Sequence, residues 1–191
     1  PSMVAPAITL GLPEVKPFEP LPAQAAGEHL VRAVGTDVDL GALTRVRENL
    51  TFSGNDAIVS LSFDGLTEVG DDIEINANDA LLLLSFPALT TVEGEFKVTD
   101  NIELGSFTAN RLTKTDGVSI WDNSSLTSFG FDSLGAVHGA FSVGGNASLE
   151  TVDVSSIETI SGRLWVMNMT ALTTLSLNGL TEVGAQTNVQ Y

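Results

Sequence analysis

The side chains that do covalent chemistry are scarce in this sequence. It has two histidines, His29 and His138, one tyrosine, Tyr191, and no cysteine. Acid–base or nucleophilic catalysis needs a nucleophile, a base and an orienting acid brought together. No such trio recurs here at a useful spacing. His138 shares a column with Arg47, Gly70, Glu93, Asp116, Ser161 and Gly184, so its chemistry is not repeated. Zinc spacings of Cys and His are absent, as are phosphate-cradling glycine loops. Acidic pairs such as Asp71-Asp72 would hold calcium weakly at most, and solvated turn carboxylates explain them as well. The expectation is a protein that is not an enzyme and has no resident cofactor.

Two sets of residues suit binding instead. Trp121, Arg163 and Trp165, with Lys97 on the same strand positions, could stack on and hydrogen-bond a sugar or a protein. Packing of the tryptophans against a flanking segment explains them equally well. The second set is a hydroxyl array: Ser60, Ser62, Ser85, Ser106, Thr108, Ser128, Thr151, Thr174 and Ser176. A flat array of this kind suits ice or a crystalline polysaccharide. Leu83, Gly130 and Asp153 interrupt it, and Ser and Thr are ordinary exposed strand residues.

The element that places these residues is a repeat. Units begin at Leu43, Leu66, Leu89, Leu112, Leu134, Ile157 and Leu180, at spacings of 23, 23, 23, 22, 23 and 23 residues. A constant period of this length marks a solenoid whose coils stack on one another. One apolar column runs Phe52, Ile75, Val98, Ile120, Val143, Val166 and Val189, and two residues earlier lies Leu50, Ile73, Phe96, Val118, Phe141 and Leu164. A second pair starts at Leu61, Leu84, Phe107, Phe129, Val152 and Leu175, followed two residues on by Phe63, Phe86, Ala109, Phe131, Val154 and Leu177. Alternation over two residues predicts a strand with one buried face, so each coil should carry two strands and be flattened. Between them runs an asparagine column, Asn55, Asn78, Asn101, Asn123 and Asn146, which ends at Met169. An inward asparagine at a bend can satisfy turn groups and bond its neighbours above and below. The column therefore predicts a structural ladder, and Met169 predicts a different turn in the last full coil.

The pattern Leu-x-x-Val-x-Gly-x-Phe-x-Val-x-x-Asn-x-x-Leu, as in Leu89 to Leu104 and Leu134 to Leu149, resembles the receptor L-domain repeat, a relative of the leucine-rich repeats. The resemblance spans residues 43 to 189. It implies an all-β, right-handed parallel β-helix-like solenoid of about six coils, on an extracellular or cell-surface protein used for recognition. No functional residue carries over, because the shared positions are core or turn. The animal receptors of that family have cysteine-rich flanks, which this chain lacks, so a bacterial, archaeal or fungal surface protein fits better.

The organisation read from the chain is as follows. Residues 1–27 carry Pro1, Pro6, Pro13, Pro17, Pro20 and Pro22 and predict an extended segment without helix. Residues 28–42 read as a degenerate first coil, 43–179 as full repeats and 180–191 as an incomplete last coil. The net charge of −16, from 24 acidic and 8 basic residues, argues against nucleic acid and anionic membranes, which need clustered Lys and Arg. No stretch is long enough to span a bilayer. Four glycosylation sequons begin at Asn49, Asn123, Asn146 and Asn168. Asn123 and Asn146 belong to the inward ladder, which leaves Asn49 and Asn168 as the better acceptors. The functional expectation is a recognition or adhesion module that binds protein or glycan. The alternatives are a subunit that self-associates end to end into a filament or surface layer, and binding through the hydroxyl face.

Overall fold

The structure is a computed structural model that describes residues 30–31 and 37–190. The Pro-rich segment 1–27, His29 and Tyr191 lie outside the described residues. The chain winds as a β-solenoid with every named strand pair parallel. Its longest sheet has eight strands, among them Leu50–Ser53, Ile73–Asn76, Glu95–Thr99, Gly117–Trp121, Phe141–Gly144 and Leu164–Met167. The hydroxyl-bearing face is five strands from Asp37–Asp39 to Ser128–Gly130, followed by a separate pair, Thr151–Asp153 and Thr174–Ser176. Like residues stand in register, for example Val98 on Ile75 and Ile120. Among the described residues no helix is long and apolar enough to cross a membrane.

Each coil differs from the two-strand expectation in having a third face. Two-residue strands at Arg45–Val46, Glu68–Val69 and Thr91–Val92 pair with one another, and Ala136–Val137, Thr159–Ile160 and Glu182–Val183 form a second such sheet. Each of these short strands except Glu182–Val183 buries one residue, such as Val69 or Ile160, and Val183 is partly buried. One inward residue produces no alternation, so the pattern that reveals the longer strands is silent here. Between these short sheets the face continues only as the bridges Thr91↔Lys114 and Thr115↔Val137. That interruption falls in the coil with the 22-residue spacing, next to the corner at Asp116 and Gly117.

The core is a column of apolar side chains running through the coils. Phe52, Phe63, Phe86, Phe96, Phe107 and Phe141 are all but completely buried. Phe63 stacks on Phe86 with centroids 4.8 Å apart. Phe96 meets Phe86 and Phe131, each at 5.4 Å, edge to face. The small Ala109 in the same coil leaves room for that large ring. In the last coil Val189 is 37% exposed, although Val166, its partner in the coil before, is fully buried.

The asparagine ladder is buried as expected, with all five members at 0–1% exposure. From Asn78 onward, each Oδ1 accepts from the backbone N–H and the Nδ2 of the asparagine one coil earlier. Asn101 Oδ1, for example, takes Asn78 N at 3.1 Å and Asn78 Nδ2 at 3.0 Å. The Nδ2 groups also bond strand carbonyls, as Asn101 does to Ile75 and Thr99, both at 2.9 Å. Met169 does not alter the turn as expected. Leu172 N still donates to Met169 O at 3.2 Å, as Leu149 N does to Asn146 O at 3.1 Å. What is lost is the side-chain acceptor above Asn146, because a thioether replaces an amide oxygen.

The turn repeats because the residue before each ladder position takes the left-handed conformation: Gly54, Ala77, Asp100, Asp122, Gly145 and Asn168, with φ between 50° and 65°. Glycine bears this freely, and Asp and Asn bear it better than most. Ala77, at φ 50°, is the member least suited to it. Ala77→Gly should therefore raise the unfolding free energy by about 1 kcal/mol, the strain of one left-handed alanine less the extra entropy of an unfolded glycine. A urea midpoint that rises at constant slope checks this; a fall would mean the turn is not strained at Ala77.

Candidate functional site

The two tryptophans stand on the outer surface of the long sheet because they occupy outward positions of their strands. Trp121 is in register with Gly144, and Gly144 with Met167; Ser119 is in register with Ser142, and Ser142 with Trp165. Trp121 reaches one coil forward. A Cβ placed on Gly144 would lie 2.5 Å from Trp121 Cζ3 and 2.6 Å from Cη2. At its other end Trp121 Nε1 donates to Ser142 Oγ at 2.8 Å. The indole therefore lies across the strand Phe141–Gly144, over Ser142 and Gly144. Both of these outward-facing residues are consequently buried, while the ring itself keeps part of its surface in solvent.

On the next coil Trp165 and Met167 continue the apolar strip, both part-exposed. Arg163 Cζ sits 5.3 Å from the Trp165 ring centroid, a cation–π contact. Trp165 Nε1 is buried and makes no hydrogen bond. Trp121, Trp165 and Arg163, together with Ser142, Gly144 and Met167, thus form one surface.

Lys97 belongs to a different environment. Its ammonium is held by Asp72 at 2.6 Å, Glu74 at 3.2 Å and Glu95 at 3.6 Å. Burial works against its charge, but the hydrogen bonds to Asp72 and Glu74 outweigh it and raise its pKa well above the ordinary lysine value. Burial would likewise raise Asp72, yet the bonds from Lys97 and from the Glu95 amide keep it below the usual carboxylate value. Three carboxylates enclosing one ammonium leave Lys97 little capacity to hold an external anion. Asp72 also ties neighbouring coils. Its N–H donates to Asn49 Oδ1 at 3.0 Å, and its Oδ1 accepts from Glu95 N at 2.8 Å.

Beside Lys97 runs an open groove of about 380 Å³ lined by Asp71, Asp72, Glu93, Glu95 and Asp116, with Gly94, Gly117, Gly139 and Ala140. It occupies the corner where the short-strand face is interrupted. Among the described residues no group of three or more His, Asp or Glu is arranged to hold a metal. His138 is exposed, and its Nδ1 lies 3.7 Å from Asp116 Oδ1.

The hydroxyl array faces outward on the second sheet. Leu83, 57% exposed, stands within it. The sheet also breaks between Ser128–Gly130 and Thr151–Asp153. Ser62 donates to Asp64 rather than standing free. Of the sequons, Asn123 and Asn146 are buried and Asn49 is engaged by Asp72. Asn168 is exposed at its left-handed turn.

Of this surface, Trp121, Arg163 and Trp165 are readable in the sequence as residue types suited to binding, whereas Ser142, Gly144 and Met167 carry no such mark by type. The only signal is a glycine one coil after a tryptophan in the same column, the vacancy into which the indole folds. No protein-family model, curated protein or solved structure matches the chain.

Proposed function

We propose that this chain is a non-enzymatic recognition module of an extracellular or cell-surface protein, and that it binds its ligand, a glycan in preference to a protein, through the face carrying Trp121 and Trp165. The observation that carries this reading is the indole of Trp121, which reaches one coil forward, with Nε1 bonded to Ser142 Oγ and its far edge over Gly144. A ring held in place with part of its surface in solvent offers a stacking surface at low entropic cost. Ser119, on the strand of Trp121, and Asn188 and Gln190, on the strand after Trp165 and Met167, hold outward positions of the same sheet and supply the polar fringe that sugar hydroxyls need. The hydroxyl sheet is the weaker candidate, since Leu83 and the sheet break interrupt its regularity.

The test is a glycan array probed with the native chain, Trp121→Ala and Trp165→Ala. Each substitution should weaken the best hit by about tenfold or more, about 1.4 kcal/mol, with the unfolding midpoint nearly unchanged. Binding that survives both substitutions but fails in Ser106→Arg or Thr108→Arg would transfer the site to the hydroxyl sheet and refute this one.

A further inference from the structure

Resting on that reading, the geometry points to a ligand that carries a carboxylate: an acidic glycan, with a sugar ring on Trp121 and a uronic acid carboxylate held by Arg163. The argument is one of charge placement. Three of the six lysines and arginines among the described residues are held by carboxylates. Arg45 pairs with Glu68 at 2.6 Å, Lys114 with Glu93 at 2.5 Å, and Lys97 with three carboxylates. Among the described residues, Arg163 makes no ion pair and its only recorded side-chain partner is the Trp165 ring. Arg47 and Arg111 also lack ion pairs, but neither lies over an aromatic ring.

The acidic residues stop short of Arg163. Its column runs back through Ala140 and Gly117 before it reaches Glu95, three coils or about 14 Å away, and Asp116, beside Gly117 at the end of the acidic groove, is two coils or about 10 Å away. The outward residues of the four neighbouring strands are Ser119, Trp121, Ser142, Gly144, Trp165, Met167, Asn188 and Gln190, all uncharged. Farther along the same sheet the outward positions hold Glu74 and Lys97. The sheet thus has a charged half, in which carboxylates outnumber the one ammonium, and an uncharged half with one arginine.

A guanidinium stacked on an indole keeps its in-plane N–H groups free, and that fork matches a carboxylate bidentately. The Trp121 ring covers one strand, and Trp165 with Arg163 stands on the next, about 4.8 Å on. That step is comparable to a sugar residue, so a short acidic chain lying along the solenoid axis would meet the ring first and the cation next. The net charge of −16 opposes any polyanion at a distance but is screened beyond about 8 Å at physiological salt. Selection would therefore be made at contact.

The experiment titrates the full chain at about 0.15 M salt with galacturonate, mannuronate and glucuronate oligomers, each beside its methyl ester. Esterification removes the charge and keeps the sugar skeleton. At least one acid should bind about tenfold or more tighter than its ester. Arg163→Gln should abolish that difference, Arg163→Lys should restore part of it, and Trp121→Ala should weaken acid and ester alike. Equal binding of acids and esters, or a preference that survives Arg163→Gln, overturns the acidic-ligand inference. If Trp121→Ala still weakens neutral glycans, the recognition reading survives that failure. No binding by any acid overturns the inference, and so does displacement of a bound acid by a poly-glutamate peptide at equal carboxylate concentration.

Discussion

Asn101→Leu should lower the unfolding free energy by about 3 kcal/mol, although the two side chains are nearly the same size. Asn101 is fully buried and serves two coils at once. Its Oδ1 accepts from the N–H and the Nδ2 of Asn78. Its Nδ2 reaches the carbonyls of Ile75 and Thr99 and the Oδ1 of Asn123. Leucine strands the Asn78 N–H and the Ile75 carbonyl inside the solenoid. Each buried group left unpaired costs about 1–3 kcal/mol, and the added apolar surface recovers only part. The check is a urea midpoint compared with that of an exposed control such as Asn178→Leu. Equal midpoints would mean that the ladder does not hold the turns.

Phe96→Ala should cost about 3–5 kcal/mol, the usual range for deleting a buried phenylalanine. The ring is fully buried and meets three others, Phe86, Phe107 and Phe131. It bridges neighbouring coils across the gap left by Ala109, so its removal opens a cavity that the alanine cannot fill. In a solenoid each coil contacts mainly its neighbours, and the loss should be felt on both sides of the coil. Phe129→Ala, at a part-buried position, should cost clearly less. Denaturation of the two variants side by side tests the order, and a larger loss at Phe129 would place the packing centre elsewhere.

Both of these sites are legible in the sequence. Asn101 and Phe96 belong to columns that keep their type through many coils, because stacking puts each residue against its own kind. The two longer faces and the ladder were therefore legible. The short strands were not, because one buried residue such as Val69 has no partner two positions away. The left-handed column from Gly54 to Asn168 does carry a signal, its glycine, aspartate and asparagine, though Ala77 hides it. At the surface, column reading names Trp121, Arg163 and Trp165 but treats each residue alone. That Trp121 folds forward onto Ser142 and Gly144 depends on the third dimension. So does the enclosure of Lys97, which takes carboxylates from two coils, with Asp72 and Glu95 two residues off its own column.

The most direct test of the recognition face uses the fact that the chain has only two tryptophans. Their indole N–H resonances, assigned through Trp121→Phe and Trp165→Phe, can be followed while the best glycan from the array is added. Trp121 and Trp165 should shift first and most, together with the amides of Ser142 and Gly144. Unmoved indole resonances, with shifts confined to Ser106, Thr108 and Ser128, would contradict the account.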